Sequence, residues 1–282
     1  MPKTWLPMTL TELTRELHGA GIEDAAFEAR LICSRFTGIS EAKLLSDADA
    51  ELPENEELSL AVARRLSHEP LQYILGEWEF MGLPFDVSDK CLIPRADTEL
   101  LCETAIKYLP RGGRLLDLCT GSGCIAVSVA HYRPDAVVTA LEKYRGALTV
   151  AEKNAMRNAV TVDFIEADVN DPTAVTGAFD VIVSNPPYVT ADEMKTLRPE
   201  LAFEPREALT DGGDGLSFYR SIMGIYPAHL APGGTLAFEH GAGQGEAVRQ
   251  IVRDAGFVPE TLFDLGGHER VTLFRKETYT EK

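Results

Sequence analysis

The sequence predicts an α/β protein with a small N-terminal helical bundle, a β-hairpin linker and an open, doubly wound sheet of seven strands. Residues 9–68 carry apolar side chains at helix spacing, and no strand-like alternation interrupts them. Residues 77–87 alternate and then turn, which indicates a hairpin. After Pro94, short β-branched or leucine-rich runs alternate with helical stretches, a pattern typical of a mostly parallel sheet. We therefore predict three segments, at residues 1–75, 76–93 and 94–282.

The predicted bundle has two apolar stripes. Leu13 and Leu17 lie on one face of the first helix, and Leu58, Val62 and Leu66 share a face of a later one. Since residues three and four apart on a helix are neighbours in space, we expect both stripes to form the core of the bundle.

The hairpin is predicted to turn at Met81 and Gly82, and seven strands are predicted after it. The strand candidates are residues 114–118, 136–141, 161–165, 181–184, 235–239, 257–263 and 271–274. Helical stretches separate them, which favours crossover connections and ligand binding beyond the carboxyl ends of the strands.

Composition restricts the class of protein. The 44 acidic and 27 basic side chains give a net charge of −17, which works against neutralising the phosphates of bare nucleic acid. The five cysteines lack a disulfide framework and a zinc-ligand spacing, so we expect no metal and a reducing compartment. No apolar run has the length of a membrane span, and no signal-peptide pattern is present. We expect a cytoplasmic protein that binds neither membrane nor nucleic acid directly.

A glycine turn follows the first strand of the predicted sheet. Gly121 and Gly123 lie between this strand and an apolar helix, where backbone amides can approach a ligand at the helix N-terminus. Glycines in such a turn also serve packing alone. The motif by itself therefore leaves nucleotide binding and packing equally open.

Acidic residues near this turn favour a particular cofactor. Glu142 ends the next strand, 21 residues after Gly121, where a ribose-binding carboxylate is expected. Asp117 opens the turn and would repel a phosphate, but it suits the sulfonium and amino groups of S-adenosylmethionine. Asp168, after the third strand, could accept a hydrogen bond from an adenine amine or simply be exposed to solvent.

The sequence Asn-Pro-Pro-Tyr follows the fourth strand at the same sheet edge. The side-chain oxygen of Asn185 and the carbonyl of Pro186 could accept both N–H groups of an amide or aromatic amine and aim its nitrogen at a methyl donor. Proline fixes the direction of that carbonyl, and Tyr188 could stack on the planar acceptor. The motif alone leaves open whether the acceptor is an amide or an adenine amine.

The rest of the chain resembles the HemK family, the peptide chain release factor glutamine methyltransferases. The segments that carry the resemblance are PLQYILGE (70–77), LIPRADTE (92–99), FEP (203–205), EHG (239–241) with Gln244 and Gly245, and ERV (269–271). Their order is that of the family, from the helical domain to the final strand. The resemblance implies a Rossmann-like class I methyltransferase sheet and methyl transfer from S-adenosylmethionine to the glutamine amide of the Gly-Gly-Gln motif in class 1 release factors.

The resemblance also implies roles for individual residues. The family's cofactor turn matches Cys119, Thr120, Gly121, Ser122 and Gly123, and its ribose acid matches Glu142; together with Asp117, Asp168, Val169 and Asn185 these are the expected cofactor-binding residues. The implied substrate-binding residues are Asn185, Pro186, Pro187 and Tyr188, of which Asn185, Pro186 and Tyr188 are the catalytic ones. The family commonly has glycine at Cys119, aspartate at Glu142 and often an aromatic residue at Val169, so these three positions make cofactor affinity less certain than cofactor identity.

Two further segments were assigned by the same resemblance. Residues 93–99 are expected to cross near the cofactor cleft, although Asp97 or Thr98 could equally cap a helix. Glu204 could border the acceptor pocket, but an acid beside a proline in a loop is more often solvated.

Two other functions are compatible with parts of the sequence. An adenine-amine methyltransferase would require a basic face, which the net charge of −17 disfavours. A non-catalytic cofactor-binding module that regulates translation is disfavoured by the intact Asn-Pro-Pro-Tyr sequence.

Overall fold

A computed structural model of the chain describes residues 8–277 and contains two compact units. The first unit runs up to Gly76 and also includes Arg198–Phe203; the second contains Glu77–Leu197 and the chain from Glu204 onward. The sequence placed the end of the bundle at residue 75, one residue before the observed end. The separate segment Arg198–Phe203 was not predicted, because apolar periodicity indicates only contiguous boundaries.

The first unit is helical, as expected. Its helices are α1 (Leu10–Gly19), α2 (Ala25–Thr37), α3 (Glu41–Ser46), α4 (Glu56–Leu66) and α5 (Leu71–Leu75). Leu13, Leu17 and Leu58 are fully buried and Val62 is nearly so, whereas Leu66 is half-buried at the end of its helix. The two predicted stripes therefore do form the core of this unit.

Charge pairing explains why Arg198–Phe203 belongs to the first unit. Arg65 is buried and forms an ion pair with Glu28, and its Nη2 also donates to Glu200 Oε1 at 3.2 Å. His68 Nδ1 lies 3.3 Å from the same Glu200 oxygen. A buried guanidinium needs such partners, and Glu200 supplies one of them from a distant part of the chain.

The hairpin begins the second unit. Strands β1 (Glu77–Phe80) and β2 (Leu83–Asp86) pair antiparallel, and the turn at Met81 and Gly82 is confirmed. Both turn residues have positive φ, +52° and +71°, as a two-residue hairpin of type I′ requires.

The remaining elements build one seven-stranded sheet and its helices. They are α6 (Glu99–Tyr108), β3 (Arg114–Leu118), α7 (Cys124–Tyr132), β4 (Val137–Glu142), α8 (Arg145–Arg157), β5 (Asp163–Glu166), β6 (Phe179–Ser184), α9 (Arg206–Leu209), α10 (Ser217–Ile225), β7 (Leu230–Glu239), α11 (Gly245–Asp254), β8 (Glu260–Phe263) and β9 (Glu269–Arg275). The strand order is β5-β4-β3-β6-β7-β9-β8, parallel except at β9, which pairs antiparallel with both neighbours. All seven predicted strands are present.

The sheet is covered on both faces, so consecutive strand residues enter different cores. Leu115 packs in a cluster with α6 and α7, whereas the next residue, Leu116, packs in a cluster with α10 and α11. This three-layer arrangement is the doubly wound α/β fold that the sequence predicted.

Strand β7 is longer than predicted. The carbonyl of Lys276 accepts the N–H of Gly233, and the N–H of Lys276 donates to the carbonyl of Gly234, which extends the pairing back from Thr235. Leu230 pairs with Phe179 of β6, so the strand begins there.

Among residues 8–277, no helix combines the length and apolar character needed to cross a membrane.

Candidate active site

Two loops leave the carboxyl edge of the sheet side by side. Leu118 at the end of β3 is in register with Ser184 at the end of β6, and the Ser184 hydroxyl donates to the Leu118 carbonyl at 2.9 Å. The glycine turn and the Asn-Pro-Pro-Tyr sequence therefore start next to each other, as the sequence predicted. A cavity opens where they meet.

The turn after β3 has a left-handed backbone at three positions. Cys119, Gly121 and Gly123 have φ values of +61°, +58° and +79°. At Gly123 a Cβ would lie 2.9 Å from the Cβ of Ala151, so glycine is needed for packing against α8. At Gly121 a Cβ would meet no described atom within 4 Å, and this residue lines the cavity. One glycine thus serves packing, and the other leaves room for a ligand.

Asp117 lies behind this turn and does not line the cavity. It is buried, and its Oδ2 accepts a hydrogen bond from the hydroxyl of Thr120 at 2.5 Å. Burial raises the pKa of Asp117 to about 7, although the hydrogen bond from Thr120 acts in the opposite direction. The sequence suggested direct contact with a cationic cofactor, whereas in the structure the carboxylate holds the turn from behind.

Glu142 faces the cavity from the end of β4. Its two carboxylate oxygens accept the N–H groups of Gly121 and Tyr144, each at 3.0 Å. Burial raises the pKa of Glu142, while these backbone donors lower it. The side chain is thereby fixed beside the glycine turn, where a ribose-binding acid was expected.

Asp168 and Val169 line the cavity after β5. Partial burial raises the pKa of Asp168, but hydrogen bonds from Lys143 and Asn170 outweigh burial, so its pKa is lowered overall. Lys143 Nζ lies 2.8 Å from Asp168 Oδ2. Val169 is buried and offers apolar surface to the cavity.

Asn185 reaches the cavity from the other loop, together with Pro187. The Nδ2 of Asn185 donates to the hydroxyl oxygen of Thr98 at 3.2 Å. Thr98 is buried and lines the same cavity, and its side chain does not cap α6. The helix-cap alternative for Thr98 is therefore wrong, and this residue instead supports Asn185.

Pro186 and Tyr188 are not among the residues that line the cavity. The carbonyl of Tyr188 accepts a hydrogen bond from Gln244 Nε2 at 2.9 Å, and a Cβ at Gly241 would lie 3.1 Å from the Tyr188 ring. Burial raises the pKa of the Tyr188 phenol to about 12. In the structure the ring packs against the turn after β7, whereas the sequence suggested that it walls the acceptor pocket.

Residues 92–95 also line the cavity, as expected for this segment. Glu204 holds it in place: its Oε2 accepts the N–H of Ile93 at 3.1 Å, and its Oε1 pairs with Arg95. Glu204 is only 6 % exposed, so the expectation of a solvated loop acid is wrong. The backbone donor and the guanidinium compensate for burying the carboxylate.

Sequence reasoning missed several lining residues. Tyr144, Ala147, Glu207 and Phe218 border the cavity. Tyr144 follows Glu142 by two positions, and its closeness to this expected ribose-binding acid could have indicated that it lines the cavity. The others come from helices with no local sign of a ligand.

Comparison with known proteins identifies the family. The Methyltransferase small domain model matches residues 95–231, and the PrmC N-terminal domain model matches residues 9–76. A release factor glutamine methyltransferase of Geobacter sulfurreducens is 41% identical over 276 residues, 96% of each chain. That of Bordetella pertussis is 44% identical over 250 residues, which cover 87% of this chain and 93% of its own. The chain belongs to the release factor glutamine methyltransferase family.

Solved structures agree with this assignment at the level of the fold. A methyltransferase from Pyrococcus furiosus has a TM-score of 0.55 at 21% identity and covers 70% of this chain and 91% of its own. A 16S rRNA methyltransferase from T. thermophilus, solved in complex with AdoMet and guanosine, has a TM-score of 0.51 at 19% identity. Its match covers 71% of this chain and 50% of that one. The resemblance to the release factor methyltransferases and the class I methyltransferase fold are thus confirmed.

Proposed function

We propose that this chain transfers a methyl group from S-adenosylmethionine to the side-chain amide nitrogen of the glutamine in the Gly-Gly-Gln motif of class 1 release factors. As a member of its family, it is a protein-glutamine methyltransferase. The observation that carries the finer proposal is that Asn185, the glycine turn and Glu142 line one and the same cavity. This cavity brings an amide acceptor site beside a site for an adenosine-bearing cofactor.

The residues around the turn fit S-adenosylmethionine. The oxygens of Glu142 accept the backbone N–H groups of Gly121 and Tyr144, and the carboxylate lines the cavity, where it can also accept from a ribose hydroxyl. Gly121 leaves open space at the cavity, and Val169 and Ile125 offer apolar surface to an adenine ring. The lining carries three carboxylates, of Glu142, Asp168 and Glu207, and three basic side chains, of Lys90, Arg95 and Lys143, so its net charge does not select the cofactor. The buried carboxylate of Glu142 beside the glycine turn suits a ribose better than a pyrophosphate at that point. When bound, S-adenosylmethionine supplies an electrophilic methyl group.

The chain's own contribution to the reaction is to orient a poor nucleophile. An amide nitrogen delocalises its lone pair, so it must be held by its two N–H groups to aim that lone pair correctly. Since Asn185 Nδ2 is engaged by Thr98, Oδ1 is the amide atom left to accept one of these N–H groups. The Asn-Pro-Pro-Tyr motif assigns the other N–H to the carbonyl of Pro186, although Pro186 is not among the residues that line the cavity. Tyr188, packed against Gly241, supports the loop that presents both acceptors.

The helical first unit is assigned to release-factor recognition, and the cytoplasm is the expected compartment. One glutamine side chain offers little binding energy, so contacts remote from the cavity must supply most of it. Such contacts would affect binding of the release factor without entering the chemistry.

Incubation of the full chain with methyl-labelled S-adenosylmethionine tests this proposal. The parallel substrates are an unmodified release factor, the same factor with its motif glutamine replaced by asparagine, and adenine-containing duplex DNA. Peptide mass spectrometry should locate the label on the motif glutamine alone. Label on DNA would support the adenine-amine rival, and label on neither substrate would contradict the proposed acceptor.

A further inference from the structure

A buried carboxylate lies behind the acceptor residue Asn185. Glu239 ends β7 and is 2 % exposed, and it is not one of the residues that line the cavity. Because Phe238 is in register with Ser184, Glu239 lies beside Asn185, and the pKa of its carboxyl group, which burial raises, is lowered by the polar groups of Thr98 and Asn185. Among the described residues, its Oε2 has no hydrogen-bond partner. A carboxylate buried this deeply at such a cost calls for a function in the site it touches.

The neighbouring carboxylate gives the hydrogen bond between Asn185 and Thr98 a definite direction. Asn185 Nδ2 donates to the Thr98 oxygen at 3.2 Å, and the Thr98 hydroxyl then has its own proton to give to Glu239. An ionised carboxylate can only accept. It therefore fixes the direction of both bonds: Thr98 must donate toward Glu239, and Asn185 must turn its nitrogen toward Thr98.

Reversing this direction would turn the Asn185 amide around. A donor in place of the carboxylate could give a proton to the Thr98 oxygen, leaving the Thr98 hydroxyl to donate toward Asn185. The Asn185 oxygen would then face Thr98 and its nitrogen would face the cavity. A nitrogen donor cannot accept the N–H of an incoming amide, so a flipped Asn185 would repel the group that it has to orient.

We infer that Glu239 is a positioning residue that acts on Asn185, both directly and through Thr98, to keep the oxygen of Asn185 directed at the acceptor amide. The inference rests on the proposed function, since it concerns how the acceptor is oriented. Glu239 itself touches neither substrate nor cofactor. Asn185 contacts the acceptor, whereas Glu239 determines whether the oxygen or the nitrogen of the Asn185 side chain faces it.

The charged and titratable groups around Glu239 come from five parts of the second unit. They are Asp97, Arg270, Tyr188, Tyr219 and Cys124. Burial raises the pKa of Glu239 to about 7, with Asp97 raising it further and Thr98, Arg270 and Asn185 lowering it. Protonation turns the carboxylate into a possible donor, so the hydrogen-bond direction is secured only on the alkaline side of this value.

The test is Glu239→Gln, which keeps the shape of the side chain but adds a donor. We expect the affinity for S-adenosylmethionine, measured by calorimetry, and the KM for the release factor to stay within about twofold, while kcat falls on the order of tenfold or more. Wild-type kcat should decline as the pH falls through about 7, and this acidic limb should be absent from the variant. Thr98→Val should lower kcat in the same way, and Thr98→Ser, which keeps the hydroxyl, should restore it.

Glu99→Gln is the matched control. Glu99 lies next to Thr98 and accepts the Met81 N–H at 2.8 Å, but it does not line the cavity. We expect this variant to keep the wild-type kcat and pH profile. The inference is overturned if Glu239→Gln keeps the wild-type kcat and pH profile, or if its cofactor affinity falls in proportion to its kcat. It is also overturned if the kcat of Thr98→Ser is no higher than that of Thr98→Val. An inactive wild-type chain would instead overturn the proposed function itself.

Discussion

At the scale of single residues, Cys119 shows how a side chain can be tolerated where the backbone favours glycine. Its φ of +61° lies in the left-handed region, where a Cβ costs on the order of 1 kcal/mol or more. The register of β3 against β6 fixes the start of the turn, so the backbone cannot relax without moving Gly121 and Gly123. The turn to which we assign cofactor binding therefore carries some strain.

Cys119→Gly should relieve that strain. We expect the free energy of unfolding to rise by roughly 0.5–1 kcal/mol, because the gain at positive φ exceeds the entropy that an extra glycine adds to the unfolded chain. Urea unfolding of the variant and the wild type measures this change in the free energy of unfolding. Cys119→Val is the control and should lower stability by about 1 kcal/mol or more, since a β-branched residue is strained most at this φ. A glycine variant less stable than the wild type would contradict the strain argument.

At the scale of elements, the turn between β3 and α7 separates packing from ligand access. Gly123 is closed in by Ala151 of α8, whereas Gly121 borders open space in the cavity. Both have positive φ, so alanine is strained at either position. The two glycines therefore differ only in the atoms that surround them.

This difference predicts that alanine affects mainly stability at Gly123 and mainly cofactor binding at Gly121. Gly123→Ala should lower the free energy of unfolding by roughly 2–4 kcal/mol, because the new methyl group collides with α8. Gly121→Ala should cost only about 1 kcal/mol of stability, yet weaken S-adenosylmethionine binding on the order of tenfold because its methyl group enters the cavity. Thermal unfolding measures the stability of both variants, and calorimetry measures their affinity for S-adenosylmethionine. Equal losses of stability would show that the two glycines are not distinguished by their surroundings.

At the scale of the whole molecule, buried carboxylates make stability depend on pH. Burial raises the pKa of Asp117 from 3.8 to about 7. The folded chain therefore holds this proton more tightly than the unfolded chain. The stabilisation that protonation provides is present at low pH and is lost as the pH rises through about 4 to 7.

Asp117→Asn removes this dependence, while its side-chain oxygen can still accept from Thr120. We expect the variant to gain stability relative to the wild type as the pH rises from about 4 to 7, by a few kcal/mol at most. Urea unfolding across this range measures the difference. A difference that is constant with pH would mean that Asp117 titrates normally in the folded chain.

Local patterns predicted the architecture well, because each strand and helix carries its own periodicity. Residues 114–118 were placed to the residue, and the register of β3 with β6 brought Asn185 beside the glycine turn as expected. Side-chain direction was harder to predict, since it depends on distant partners. Asp117 turns toward Thr120, and the Tyr188 ring turns toward Gly241.

Ion pairs between residues far apart along the chain could not be predicted from the sequence either. Glu204 is buried because the Ile93 N–H and Arg95 meet it from more than a hundred positions away along the chain. Glu200 joins the first unit through Arg65 for the same reason. No spacing in the sequence marks such pairs, and the contact of Thr98 with Asn185 is equally long-range, since 87 positions separate the two residues.

The most direct test of the central claim is to measure cofactor affinity and turnover together for Asn185→Ala. The claim is that Asn185 orients the acceptor amide and contributes little to holding the cofactor. We predict that S-adenosylmethionine affinity stays within about twofold while kcat for release factor methylation falls on the order of a hundredfold. Asn158→Ala, an asparagine variant outside the cavity, should leave both unchanged. A parallel loss of affinity and turnover in Asn185→Ala would contradict the account.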